Sequence, residues 1–157
     1  MSKIAAWIPV LLLLANLPAS AQPPVSAACR APLTTNNIFN EETISATGST
    51  IPSLWWAKAQ FDPFSGKLIS SWRADRQARR IDLVVNRQLW SLLNYLKRYR
   101  FVNNFGTVAR DYQYNLRVFN QQQQCLATYT CDFSAPLPRC QIEFTPLERN
   151  TFQVEAE

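Results

Sequence analysis

Arginine, cysteine and a few carboxylates are the groups in this sequence that could do chemistry, and they stand in a chain of 157 residues with no histidine. The lack of histidine removes Ser-His and Cys-His nucleophile pairs, His-ligated zinc or haem, and imidazole pH switches. Gly48, Gly66 and Gly106 are the only glycines, each isolated, so there is no phosphate-cradling loop and no dinucleotide fingerprint. Among the acids, Asp82 falls on the outward side of a β-branched run. Asp111 lies between Arg110 and Tyr112, where an ion pair suits it better than general-base work. No two carboxylates share a spacing suited to glycoside hydrolysis. The expectation is a non-enzymatic protein with no cofactor and no metal.

The charge is small overall and uneven along the chain. Sixteen basic residues stand against eleven acidic ones. Between Arg73 and Arg117, ten bases face only Asp75, Asp82 and Asp111, and nine of the ten are arginine. From Val118 onward, acids outnumber bases by three. Arginine makes planar, bidentate contacts with carboxylate and phosphate, which points to an acidic protein or an anionic membrane surface as partner. Nucleic acid fits an exported protein poorly. The residues expected to form such a face are Arg73, Arg76, Arg79, Arg80, Arg87, Lys97 and Arg98. A plainer reading places Arg73, Arg76, Arg79 and Arg80 on a solvated helix face. It also places Lys97, Arg98 and Arg100 in the last turns of a long helix, where cations complement the dipole. Most aromatic residues are expected in the core. Trp55 and Trp56 are adjacent, so one helix face cannot bury both, and one of them is a candidate interface residue.

Cys29, Cys125, Cys131 and Cys140 are an even set, which in an exported chain reads as two disulfides. The stretch from Cys125 to Cys131 alternates like a strand, and six extended residues hold its ends about 20 Å apart, too far for a bridge. The favoured pairing is therefore Cys131 with Cys140, pinning a proline-bearing loop, and Cys29 with Cys125, tying the N-terminal arm to the sheet. A four-thiolate metal site is the competing reading, and no C-x2-C pair supports it.

Residues Met1 to Ala21 have the layout of a cleavable export signal. Lys3 is followed by an apolar stretch from Ile4 to Leu17 and by Ala19-Ser20-Ala21 before Gln22. That apolar stretch is shorter than the ~20 residues needed to cross a bilayer and contains Pro9, which disfavours an uncleaved anchor. A lipoprotein site at Cys29 is disfavoured because Ser26 stands where leucine is wanted. Cleavage leaves 136 residues, one domain able to bury roughly two-thirds of its unfolded surface, in an oxidising, non-cytosolic compartment.

Residues 22–50 are rich in Pro, Ser, Thr and Ala and read as an arm, with the domain covering 51–157. Pro52 suits a first helical turn capped by Thr50, and Leu54, Ala57 and Phe61 share a face until Asp62-Pro63 begins a turn through Gly66. Leu68, Ile69 and Trp72 have helical spacing, which predicts a second helix over Lys67 to Arg79. Ile81 to Val85 is a strand. Asn86 then caps one long amphipathic helix with a stripe of Leu89, Leu92, Leu93, Leu96 and Tyr99, ended by Asn103, Asn104 and Gly106. Alternation from Tyr112 to Val118, the turn Gln121 to Gln124 and the strand Cys125 to Cys131 predict a hairpin. Further strands are expected over Cys140 to Phe144 and Thr151 to Val154. The order predicts an α+β domain: two short N-terminal helices, a strand, one long amphipathic helix and an antiparallel β-meander.

Three segments, Ile51 to Trp56, Arg80 to Trp90 and Phe105 to Tyr112, resemble a family of small exported cyanobacterial proteins over roughly residues 45 to 131. The resemblance implies the periplasm or thylakoid lumen as location and carries over no catalytic or binding residues. The arginine-rich region is expected to contact an anionic surface or a larger envelope or photosynthetic complex. The element order also resembles the cone-shaped fold of the NTF2-like group, which implies a small apolar ligand held between the long helix and a curved sheet, and a pocket protein or minor enzyme of that shape is the alternative expectation.

Overall fold

The computed structural model describes residues 27–31, 38–40 and 54–146. The export signal, the proposed Thr50 cap with Pro52, and the strand expected over Thr151 to Val154 lie outside these residues. Ten elements follow in order: α1 (Ala27–Arg30), β1 (Ile38–Asn40), α2 (Trp55–Phe61), β2 (Ile69–Asp75), β3 (Arg80–Val85), α3 (Arg87–Ser91), α4 (Tyr95–Asp111), β4 (Asn115–Asn120), β5 (Cys125–Asp132) and β6 (Arg139–Phe144). The strands form one open sheet in sequence order. Each pairing is antiparallel except β3 with β4, which run parallel because α3 and α4 carry the chain back across the sheet. The domain is α+β, and its sheet is mixed.

One face of the sheet holds the core. Trp72, Ile81, Leu83, Val85, Leu116, Val118 and Ala127 alternate inward and are buried, and Phe101, Val102, Phe105 and Ala109 of α4 pack onto them. A ring series runs from Trp56 through Phe61, Phe105 and Phe101 to Trp90, with successive centroids 4.8 to 6.0 Å apart. The segment read as an arm supplies β1, which pairs with β2, and α1, which lies over the opposite face.

Two predicted elements are corrected. Lys67 to Arg79 is not a helix: it contains β2 and the turn into β3. The sheet register slips between Ile69 and Ser71, so Ile69 and Trp72 face the same side of a strand. That bulge produces the three-residue spacing that mimics a helix. At the turn, Asp75 Oδ1 accepts from the Ala78 N–H at 2.9 Å and Arg79 takes a left-handed φ of 48°.

The single long helix is two helices. Asn86 caps α3 as predicted, accepting from Leu89 N–H at 3.1 Å. The Leu93 N–H then closes on the Trp90 carbonyl, and Asn94 begins a new helix by accepting from Lys97 N–H at 2.9 Å. Of the expected core stripe, Leu93 is buried and Leu89 packs against the core, whereas Leu92, Leu96 and Tyr99 are exposed. Helix α4 continues past Asn103 and Asn104 to Asp111, so Lys97, Arg98 and Arg100 occupy its first two turns, the end where a cation gains nothing from the dipole. Gly106 is no terminator. It sits where α4 crosses β5, and a Cβ there would enter the Tyr129 ring. Tyr112 caps the end of α4 and β4 starts three residues later, at Asn115.

Both disulfides form the favoured pairs. Cys131 and Cys140 are direct cross-strand partners with Cα atoms 4.0 Å apart. Cys29 and Cys125, separated by 96 residues, bind α1 to the sheet. With all four sulfurs paired, the four-thiolate metal alternative is overturned.

Candidate functional site

On the sheet face opposite α4, the alternation of β3 and β4 brings Asp82 and Arg117 out on the same side. Parallel pairing then sets them directly opposite each other. Asp82 is not solvated, as outward alternation suggested. Arg117 donates through Nε to Asp82 Oδ1 at 2.6 Å and through Nη2 to Oδ2 at 2.8 Å, and both residues are buried. Two carbonyls of the N-terminal segment complete the arginine's partners, Ala28 at 3.0 Å and Ala31 at 2.6 Å from Nη1. The Phe119 ring lies under the guanidinium, 4.9 Å from centroid to Cζ. One side chain therefore joins β4, β3 and α1, and the Cys29–Cys125 bridge holds α1 against the same face.

Where α1 stops short of β2, a cleft of about 460 Å³ opens. Its floor is Asp82, Arg117 and Phe119. Ser70, Ser71 and Arg73 of β2 form one wall, Arg30 and Ala31 another, and the turn residues Gln121 and Gln123 close one end. Asn120 shapes that turn: its Oδ1 accepts from the N–H groups of Gln122 and Gln124, and its Nδ2 donates to Gln124 Oε1 at 2.7 Å. The bulge in β2 that disguised the strand places Ser70 and Ser71 together on this wall.

Three guanidinium groups border the cleft against one carboxylate, and Arg30 and Arg73 are exposed. The hydroxyls and amides are uncharged hydrogen-bonding groups suited to an oxyanion's periphery. Both oxygens of Asp82 are occupied by Arg117, so Asp82 presents no lone pair positioned for proton abstraction. The arrangement can bind an anion. It offers no nucleophile paired with a base.

The seven basic residues expected to form one face do not assemble into one. Arg73 lines the cleft. Arg76 and Arg79 stand in the β2–β3 turn, where Arg79 donates to Gln113 Oε1 at 3.2 Å and lies 6.0 Å from the Tyr114 ring. Arg80 is half-buried, with nitrogens 3.7 Å from Asp75 and 3.9 Å from Asp82. Arg87, Lys97 and Arg98 belong to α3 and the start of α4, at the opposite end of β3 from that turn. Arg98 lies 5.5 Å over the Trp90 ring and donates to the Trp90 carbonyl at 3.3 Å, and partial burial pushes its guanidinium pKa down. The extension of β3 therefore separates Arg76 and Arg79, in the turn before it, from Arg87, Lys97 and Arg98 beyond its other end.

Trp55 and Trp56 are both about half exposed on α2, 53% and 49%, and neither borders the cleft. Arg30 and Arg117 were missed as site residues. Arg117 had a signal: Ile81-Asp82-Leu83 and Leu116-Arg117-Val118 each hold one charge inside an apolar run, the pattern of two strands sharing a buried ion pair. Comparison with protein-family models, with curated proteins and with solved structures finds no match to this chain.

Proposed function

We propose that this is an exported, non-enzymatic binding protein whose outer cleft receives carboxylate side chains of an acidic protein partner. The observation that carries the reading is a cleft bordered by the exposed Arg30 and Arg73, whose single carboxylate, Asp82, is already neutralised by Arg117. Export accounts for the apolar leader and is compatible with two disulfides that leave no free thiol among the described cysteines. Periplasm or thylakoid lumen follows from the family resemblance. Among the described residues, no helix is long and apolar enough to cross a membrane.

The buried Asp82–Arg117 pair lies at the base of the cleft, and the exposed Arg73 brings a positive charge to its rim, with Arg30 nearby. Electrostatic recognition of this kind governs association rate and specificity and weakens with salt. Volume narrows the choice of ligand as well: about 460 Å³ admits one or two acidic side chains, or a small anionic molecule as the second reading. The space between α4 and the sheet, where an NTF2-like pocket would lie, is crossed by the close contact of Gly106 with Tyr129 and by the buried ring of Phe105.

Fluorescence anisotropy with a labelled glutamate-rich peptide tests the reading. Arg73→Glu should weaken binding about tenfold or more at low salt and little at high salt. Arg76→Glu, outside the cleft, should change it much less. Equal affinity for Arg73→Glu and the wild type would refute the cleft as the site.

A further inference from the structure

A second surface, on the helix-bearing side, is unlike the cleft. Seven large hydrophobic residues are exposed among the described residues, and four of them, Leu92, Tyr95, Leu96 and Tyr99, fall within eight positions at the start of α4. Their exposures are 69%, 65%, 71% and 45%. At 100° per residue, Tyr95, Tyr99 and Leu96 share one continuous arc of α4 directed away from the buried Phe101, Phe105 and Val108. Leu92 precedes them in the α3–α4 link. Tyr95 is braced by Phe144 of β6, with ring centroids 5.5 Å apart, so the ridge rests on the sheet.

The charges around the ridge have one sign. From Leu83 to Ala109 the sequence contains no acidic residue, whereas Arg87, Lys97, Arg98 and Arg100 are all present. Arg100 flanks the arc beside Leu96, Lys97 is exposed beyond it on the same side, and Arg98 turns to the core side over the Trp90 ring. Glu143, on β6, lies at an exposed position of the strand's alternation, out of step with the half-buried Phe144 that meets Tyr95. A ridge of leucine and tyrosine beside Arg100, with Lys97 exposed in the same turns, matches the boundary of an anionic bilayer: tyrosine is amphipathic, leucine enters the acyl region, and lysine and arginine extend to the headgroups. A protein partner would have to bring an apolar groove lined by acids, a more demanding complement than a fluid anionic surface.

We propose that Leu92, Tyr95, Leu96 and Tyr99, with Lys97 and Arg100, form an interfacial docking ridge that seats the protein on a membrane surface rich in anionic lipid headgroups. The protein lies on the bilayer without crossing it. The outer cleft is on the other face of the sheet and stays open to a partner while the ridge is engaged.

Co-sedimentation of the protein, purified from an exporting host, with phosphatidylcholine vesicles containing or lacking phosphatidylglycerol provides the test. All variants carry the same N-terminus, and circular dichroism checks their folding. Binding should require phosphatidylglycerol, fall about tenfold or more for Leu96→Asp, and fall comparably for Lys97→Glu with Arg100→Glu. Arg73→Glu should leave vesicle binding intact, which separates this surface from the cleft. Equal binding to neutral vesicles, unaltered binding by folded Leu96→Asp, or self-association through the ridge without vesicle binding would each overturn the proposal. Should Leu96→Asp fail to fold, Leu92→Asp, in the link before α4, serves the same purpose.

Discussion

The two faces of the sheet are closed by different physics. The inner face is covered by α4 over a continuous apolar cluster, where the contribution is area removed from water, roughly 25 cal/mol per Å². The outer face is closed by a helix of four residues, too short to supply much apolar area. It depends on the Asp82–Arg117 pair, the two carbonyls that pair engages, and a disulfide. An apolar face tolerates exchange among residues of similar volume. A buried ion pair tolerates removal of both partners far better than removal of one. The adaptable face therefore carries the architecture, and the exacting one shapes the cleft.

The largest break in this comparison should come from Arg117→Met. It leaves the buried Asp82 with only the longer 3.9 Å contact to Arg80 and removes the hydrogen bonds from β4 to the α1 carbonyls, and chemical denaturation should show a loss of about 3–5 kcal/mol. Adding Asp82→Leu should recover most of that loss, and a double variant as unstable as the single would show that the outer face is not organised by the pair. On the inner face, Gly106→Ala forces a methyl into the Tyr129 ring and should cost about 1–3 kcal/mol in the same assay. A neutral outcome there would mean that the crossing of α4 over β5 can widen freely. The smallest effect belongs to Asp132, a carboxylate on the exposed end of β5. Hydrogen bonds from Ser134, side chain first and then backbone, hold its pKa below the ordinary aspartate value. The stabilisation is full above that ordinary value and disappears as pH falls through the lower folded value. Asp132→Asn should remove this acid-range slope, so that the variant is slightly less stable than the wild type at neutral pH and the two converge at low pH, as measured by urea unfolding across pH.

Much of the inner face was legible in the sequence. The Ile81–Val85 strand, the hairpin around Gln121–Gln124, the Asp62–Gly66 turn and the Asn86 cap depend on neighbours within a few residues, and each was found close to its expected place. The disulfide pairing was legible for the same reason: strand extension alone excluded Cys125 with Cys131. The failures have one kind of cause. At β2, a bulge that exists only through pairing with β3 converted a strand into apparent helical spacing. At Asn94, a second cap interrupted a stripe that periodicity alone carried through, and three of its five members emerged on the surface.

The basic residues show the boundary most clearly. Composition and order alone determined that a chain without histidine carries a dense run of arginine, two disulfides and an α+β pattern, because residue type and local spacing suffice for each. Tertiary structure alone decided which of those arginines meet. Asp82 and Arg117 are 35 residues apart and become partners only because α3 and α4 return the chain for parallel pairing. The extension of β3 holds Arg79 and Arg87, eight positions apart, beyond opposite ends of that strand. Linear charge density does not encode direction, and the hydrogen-bonded register of the strands supplies it.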